Sequence, residues 1–250
     1  MNEQESLRVV RTHFPNALTT SETVNRLLDL IRKHYDIYPN QIMLADSICS
    51  DDVNTMEYPQ QAYEMLGPFK MGGLNGFPFT GLTGMSAFAH HVPENGAVFI
   101  YYAPHIGVTK KGITGEINRV GQDKPSPCCG AAKAALSKLL NGSIQDGVIT
   151  ELDYQQNTIE QIFHRHEDRI LTASNPMLEA TTVMYEAINE RINVLVSKTE
   201  YPCKYLILMG GILINGDHDM GSFNACQRFD VINMRTREAT SMKELLLHAL

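Results

Sequence analysis

Apolar residues recur at helical spacing in Val24, Leu27, Leu28 and Ile31, just behind Thr19 and Glu22, which have the separation of a capping box. An amphipathic helix is predicted there, within an N-terminal helical region of about residues 1–38. The pattern then changes to short unbroken apolar runs, which read as buried strands: Ile42 to Ala45, Ala97 to Tyr102, Tyr205 to Ile214 and Phe229 to Ile232. Between them an Ala-rich helix is expected over Ala131 to Leu140. A longer helix is expected from Asn175-Pro176 towards Lys198, because proline at the first helical position gives up no bond the helix would use. Ser241 and Glu244 mark the start of a last helix, and Lys110-Lys111-Gly112 the turn of a hairpin over Ile106 to Gly121. From Gly67 to Gly84, six glycines interleaved with Phe69, Phe77 and Phe79 predict an irregular loop where backbone approaches something closely. Strands alternating with helices give an α/β fold, a mostly parallel central sheet flanked by helices, in one domain spanning 1–250.

Composition narrows the partners. A formal charge of −7 disfavours nucleic acid, and no apolar stretch is long enough to span a bilayer. Five cysteines are too few for a disulfide scaffold and suggest a reducing compartment. The expected location is cytoplasmic, or the plastid stroma if a transit segment has been removed. Cys203 and Cys226 read as core residues, and His164, His166 and His218 as surface residues.

The remaining cysteines carry the chemistry. Cys49 follows the first buried strand, His105 follows the strand ending at Tyr102, and the pair Cys128-Cys129 precedes the Ala-rich helix. Two thiols and an imidazole at element edges suit a zinc ion that keeps one position open, and Asp51 stands two residues past the first thiol. A metal-activated water beside a carboxylate is the chemistry expected. The glycine-rich loop lacks the register of a phosphate cradle, and Pro127-Cys128-Cys129 lacks the spacing of a zinc deaminase.

Several segments in order, Cys49-Ser50-Asp51-Asp52-Val53-Asn54, Met71 to Phe79, Ala89-His90-His91-Val92-Pro93, Pro104-His105-Ile106-Gly107 and Cys128-Cys129-Gly130, strongly resemble the limiting-carbon-dioxide-inducible B/C proteins. These are also called θ-carbonic anhydrases. The resemblance implies a β-carbonic-anhydrase-like fold, a homodimer, and reversible hydration of carbon dioxide to bicarbonate. It further implies zinc held by Cys49, His105 and Cys129, with Cys128 pointing elsewhere. The β-class keeps a Cys-x-Asp-x-Arg run; here Asp51 matches the carboxylate but Val53 stands in the arginine position. Arg119 is therefore expected to partner Asp51 from the hairpin, so that the pair orients the attacking oxygen. For a small apolar substrate, Phe77, Phe79 and Leu82 are the expected pocket walls. His90 and His91 are the candidate proton shuttle. A zinc-stabilised binding or assembly protein without turnover is the alternative.

Overall fold

Side chains along the central strands alternate between two hydrophobic cores, one on each face of the sheet. The computed structural model describes residues 2–54 and 60–248. Its strands are β1 (Leu18–Thr19), β2 (Ile42–Ser47), β3 (Leu66–Lys70), β4 (Ala97–Tyr102), β5 (His105–Val108), β6 (Glu116–Ile117), β7 (Ser126–Pro127), β8 (Tyr205–Gly216), β9 (Ser222–Asn233) and β10 (Ala239–Ser241). The helices are α1 (Glu3–Arg11), α2 (Thr20–Tyr35), α3 (Gly81–Ala89), α4 (Gly130–Leu140), α5 (Tyr154–His164), α6 (Glu167–Leu171), α7 (Pro176–Ser197) and α8 (Lys243–His248).

The main sheet runs β1-β9-β8-β4-β2-β3, with β5 continuing beside β8 and β10 added to β9. Strands β3, β2, β4 and β8 are parallel, as is β5 with β8; β9 and the strands that join it are antiparallel. Met43, Ala45, Val98, Ile100 and Tyr102 enter the core shared with Cys49, Cys129 and residues of α3, α4, α5 and α7. Their neighbours Ile42, Leu44, Ala97, Phe99 and Tyr101 pack on the opposite side against α2 and α8. This period of two is the ordinary consequence of strand pleating, and because both faces are covered the runs are wholly apolar.

Local signals explain the starts of α2 and α7. Thr19 caps α2 by accepting from the Glu22 N–H at 3.2 Å, although the Glu22 side chain turns to Arg26 at 2.6 Å, so only half of the expected capping box forms. Val24, Leu27, Leu28 and Ile31 are buried as their spacing requires. Asn175 caps α7 by accepting from the Leu178 N–H at 3.2 Å, with Pro176 at the first helical position.

Four expectations change. The glycine-rich segment is not all loop: it contains β3 and the first half of α3. β3 is an exposed edge strand held by backbone pairing to β2, so it carries no apolar alternation to read. The turn at 110–112 exists and the chain folds back across it, with the Gly112 N–H bonding Thr109 O at 2.8 Å, the Thr109 N–H bonding Ile113 O at 2.9 Å and Val108 bridging Thr114, but the strand before it also pairs with β8 and the hairpin is shorter than expected. Beyond Gly115 the returning chain forms a short ribbon of β6 and β7. β9 is longer than expected and antiparallel, and Ser241 lies in β10 rather than capping α8, which begins at Lys243. Helices α5 and α6 were not among the expected elements, whereas α1 falls within the expected N-terminal helical region.

Candidate metal centre

The donors converge at the C-terminal ends of the parallel strands, the edge where open α/β sheets gather ligands. Cys49 follows β2, and its carbonyl accepts from the Asn54 side-chain amide at 3.2 Å. Its sulfur accepts the Asn75 backbone N–H at 3.1 Å. That contact needs the glycine-rich segment: Gly76 has φ of 76°, and a Cβ there would run into the carbonyl oxygen of Ala103. The Ser47 hydroxyl donates to the Gly76 carbonyl at 2.9 Å and fixes the approach. His105 opens β5, which extends the line of β4 past Ala103-Pro104, and it is fully buried. Cys129 is the N-cap residue of α4, where unpaired backbone N–H groups and the helix dipole favour a thiolate.

The Cys49 and Cys129 sulfurs are 4.0 Å apart, and both lie within 4.8 Å of a His105 ring nitrogen. His105 Nε2 is buried with no hydrogen-bond partner among the described residues. The Cys49 thiol is pulled down to about 4, foremost by its hydrogen bond with Cys129 and then, against burial, by His105. The bond to Cys49 pushes Cys129 well up, reinforced by burial. His105 is also raised, because the surrounding sulfurs outweigh the effect of burial. Negative charge on the first sulfur is therefore what the rest of the cluster must accommodate, and a cation among the three does so. The donor set fits a thiophilic divalent metal with one position free.

Cys128 lies on the other side of the imidazole, its sulfur 3.6 Å from His105 Nδ1 and 3.5 Å from Asn215 Oδ1. It groups with His105 and Asp51, not with Cys49. Its backbone belongs to the ribbon: its N–H bonds Gly115 O at 3.0 Å and its carbonyl accepts from Gly107 at 2.7 Å.

Arg119 reaches Asp51 from the segment joining β6 to β7. One guanidinium nitrogen sits 3.1 Å from each Asp51 oxygen, the other donates to Asp52 at 2.6 Å, and Nε donates to Ser126 Oγ at 3.0 Å. Burial pushes the Asp51 carboxyl up, but the Asp52 contact, the Val53 N–H, the His105 charge and Arg119 together hold it below its ordinary value. Asp51 is thus kept ionised close to the imidazole.

Other expected residues fall elsewhere. His90 and His91 are exposed at the far end of α3, and His90 lines a cleft with Lys198 to Pro202, just before β8. His105 is paired with Leu213 near the other end of that strand, roughly 25 Å away at about 3.3 Å per residue. Within one chain the two histidines therefore stand far from His105, towards the opposite edge of the sheet. Leu82 is exposed on the first turn of α3. Phe77 packs on the core that contains Cys49 and Cys129, and Phe79 stands edge-on between Phe77 and Tyr154. The opening beside Arg119 is mixed in character: Val53, Ile117 and Val120 with Asn118, Asn215 and His218 help line a cleft of about 420 Å³.

Sequence reasoning missed Asn75, Asn215 and Asp217. Asp217 is buried and accepts the backbone N–H groups of Lys110 at 3.0 Å and Asn118 at 2.7 Å, which fixes the turn and the chain leading into Arg119. Its signal was only an Asn-Gly-Asp run, which reads as a turn.

The pattern of the limiting CO2-inducible proteins B/C beta carbonic anhydrases matches residues 17–233. The chain belongs to that family. Among solved structures, this limiting CO2-inducible B/C family chain is similar to PtLCIB4, a homolog of the limiting CO2-inducible protein LCIB, with 28% identity and a TM-score of 0.80 over 94% of this chain and 98% of that one. It shares its fold with LCIB itself at 18% identity and a TM-score of 0.68, over 92% of this chain and 95% of that one. No curated protein matches the chain. Among the described residues, no helix is long and apolar enough to cross a membrane.

Proposed function

We propose that this chain holds one zinc ion through Cys49, His105 and Cys129 and catalyses the reversible hydration of carbon dioxide to bicarbonate. The observation that carries this reading is the ionised Asp51–Arg119 pair standing beside an N/S donor set whose buried His105 Nε2 has no hydrogen-bond partner among the described residues. Zinc bound by two thiolates and one imidazole keeps a position for water and supplies the Lewis acidity that makes water nucleophilic.

The chain's own residues then orient the attack. Asp51, ionised, accepts the hydrogen bond of the attacking water and aims a lone pair at the substrate carbon. Arg119 keeps that carboxylate in place, so that it does not swing onto the metal and close the site. The Asn75 N–H steadies the Cys49 thiolate, and Phe77 supplies apolar wall for a small uncharged substrate. Family membership supports carbon dioxide and bicarbonate as the reacting pair and a homodimeric assembly.

The test is stopped-flow hydration of carbon dioxide, with metal content measured on the same preparation. Activity that disappears on chelation and returns with zinc is expected. A folded, zinc-replete sample inactive from neutral to alkaline pH would instead identify a metal-stabilised binding or assembly protein.

A further inference from the structure

Asn215 sits near the end of β8, buried, and its amide joins two parts of the site that are remote in sequence. Leu213 pairs with His105 across the parallel β5–β8 ladder, so Asn215, two residues on, shares the face of the sheet on which the imidazole lies. Asn215 Nδ2 donates to the Val53 carbonyl at 3.0 Å, and Oδ1 lies 2.8 Å from His105 Nδ1.

The chemistry of these contacts runs in one direction. A backbone carbonyl only accepts, so Val53 O requires the NH2 end of the amide and fixes its flip. The other end, Oδ1, also only accepts. The His105 nitrogen facing it must therefore carry the proton, which in the neutral ring that a metal takes leaves the lone pair on Nε2, the atom with no hydrogen-bond partner among the described residues. Cys128 does not disturb this, since its S–H can donate to the same Oδ1 at 3.5 Å.

From this chain we propose that Asn215 is a positioning residue with two arms: one sets the His105 tautomer that offers Nε2 to a metal, the other anchors the segment carrying Asp51. The proposal rests on the reading of Cys49, His105 and Cys129 as a metal site. Val53 takes part through its carbonyl, in the position where the β-class run would place an arginine side chain. The amide thus couples ligand orientation to placement of the carboxylate.

Two variants separate the arms. Asn215→Leu removes both; Asn215→Asp keeps an acceptor for His105 Nδ1 but cannot donate to Val53. Zinc affinity is measured by chelator competition on the full chain, and the zinc-loaded proteins are compared by nitrogen NMR with labelled histidine. The parent should show its His105 proton on Nδ1, slow to exchange with solvent. Asn215→Leu should lose about 10- to 100-fold in zinc affinity and exchange that proton quickly. Asn215→Asp should bind zinc nearly as well as the parent, with the slow Nδ1 proton retained. A His105 proton on Nε2 in the parent would overturn the proposal, and this readout stands even if the leucine variant fails to fold. So would parent-like affinity in Asn215→Leu while His105→Ala loses zinc. If His105→Ala itself binds zinc like the parent, the metal-site reading has failed, and the proposal with it.

Discussion

Arg119 and Asp51, 68 residues apart in sequence, meet with one guanidinium nitrogen 3.1 Å from both carboxylate oxygens. Both side chains are largely buried, with relative exposures of 17% and 16%, so solvent screens the pair less than it would a surface ion pair. The pairing supplies from a distant ribbon the cation that the Asp51-Asp52-Val53 segment lacks.

Arg119→Ala is expected to keep zinc and lose about 10²- to 10³-fold in hydration rate, the scale of removing one well-placed polar group from a reaction site. Asp51→Ala should do the same. Because the two act as one unit, the double variant should be little worse than either single. The rates and zinc content of all four proteins check this; additive losses would show that the residues act independently.

The vicinal cysteines make a sharper contrast. Cys129→Ser and Cys49→Ser should each lose bound zinc, since they remove one of two sulfurs 4.0 Å apart. Cys128→Ser should retain it, because that sulfur sits on the Nδ1 side of His105. Metal analysis after gel filtration decides between them, and retention by Cys129→Ser with loss by Cys128→Ser would reverse the assignment.

A pH prediction concerns Asp46 in β2, the strand that leads to Cys49. Burial raises its carboxyl above the ordinary 3.8, only partly offset by Lys70, which donates to it at 2.6 Å. A folded-state value above the unfolded one means the folded chain binds the proton more tightly. That contribution to stability is fully present below about 3.8 and is lost as pH rises through the folded value. Asp46→Asn should therefore gain stability relative to the parent as pH rises across that window. Lys70→Met, which removes the offset, should extend the parent's loss to higher pH. Urea midpoints at a series of pH values measure both; a difference that does not change with pH would rule out the linkage.

The legible parts of the molecule were those with dense local patterning. Ala97 to Tyr102 is apolar on both faces because both faces are covered, and that run delivers His105 to the site without ambiguity. Thr19 and Asn175 announced α2 and α7 by their cap chemistry. What the sequence left hidden depended on direction or on partners far along the chain. His90 and His91 follow the glycine-rich segment closely in sequence, yet a helix of nine residues, Gly81–Ala89, moves them away from the site, and nothing in its composition gives its heading. Asn215 was hidden because Asn-Gly reads as a turn, while its role comes from partners 110 and 162 residues away.

The division of the sheet into two cores has a practical consequence for anyone altering this protein. Cys49, Cys129 and Phe77 all belong with the face covered by α3, α4, α5 and α7, so enlarging or shrinking a residue such as Ile100 pushes directly on the metal-binding side. On the reverse face, Leu44, Phe99 and Ile207 meet α2 and α8 in a core that also holds Leu213, the ladder partner of His105. Heat resistance can be sought there by repacking around Leu44 and Phe99, provided that Leu213 and the strand it shares with His105 are left as they are.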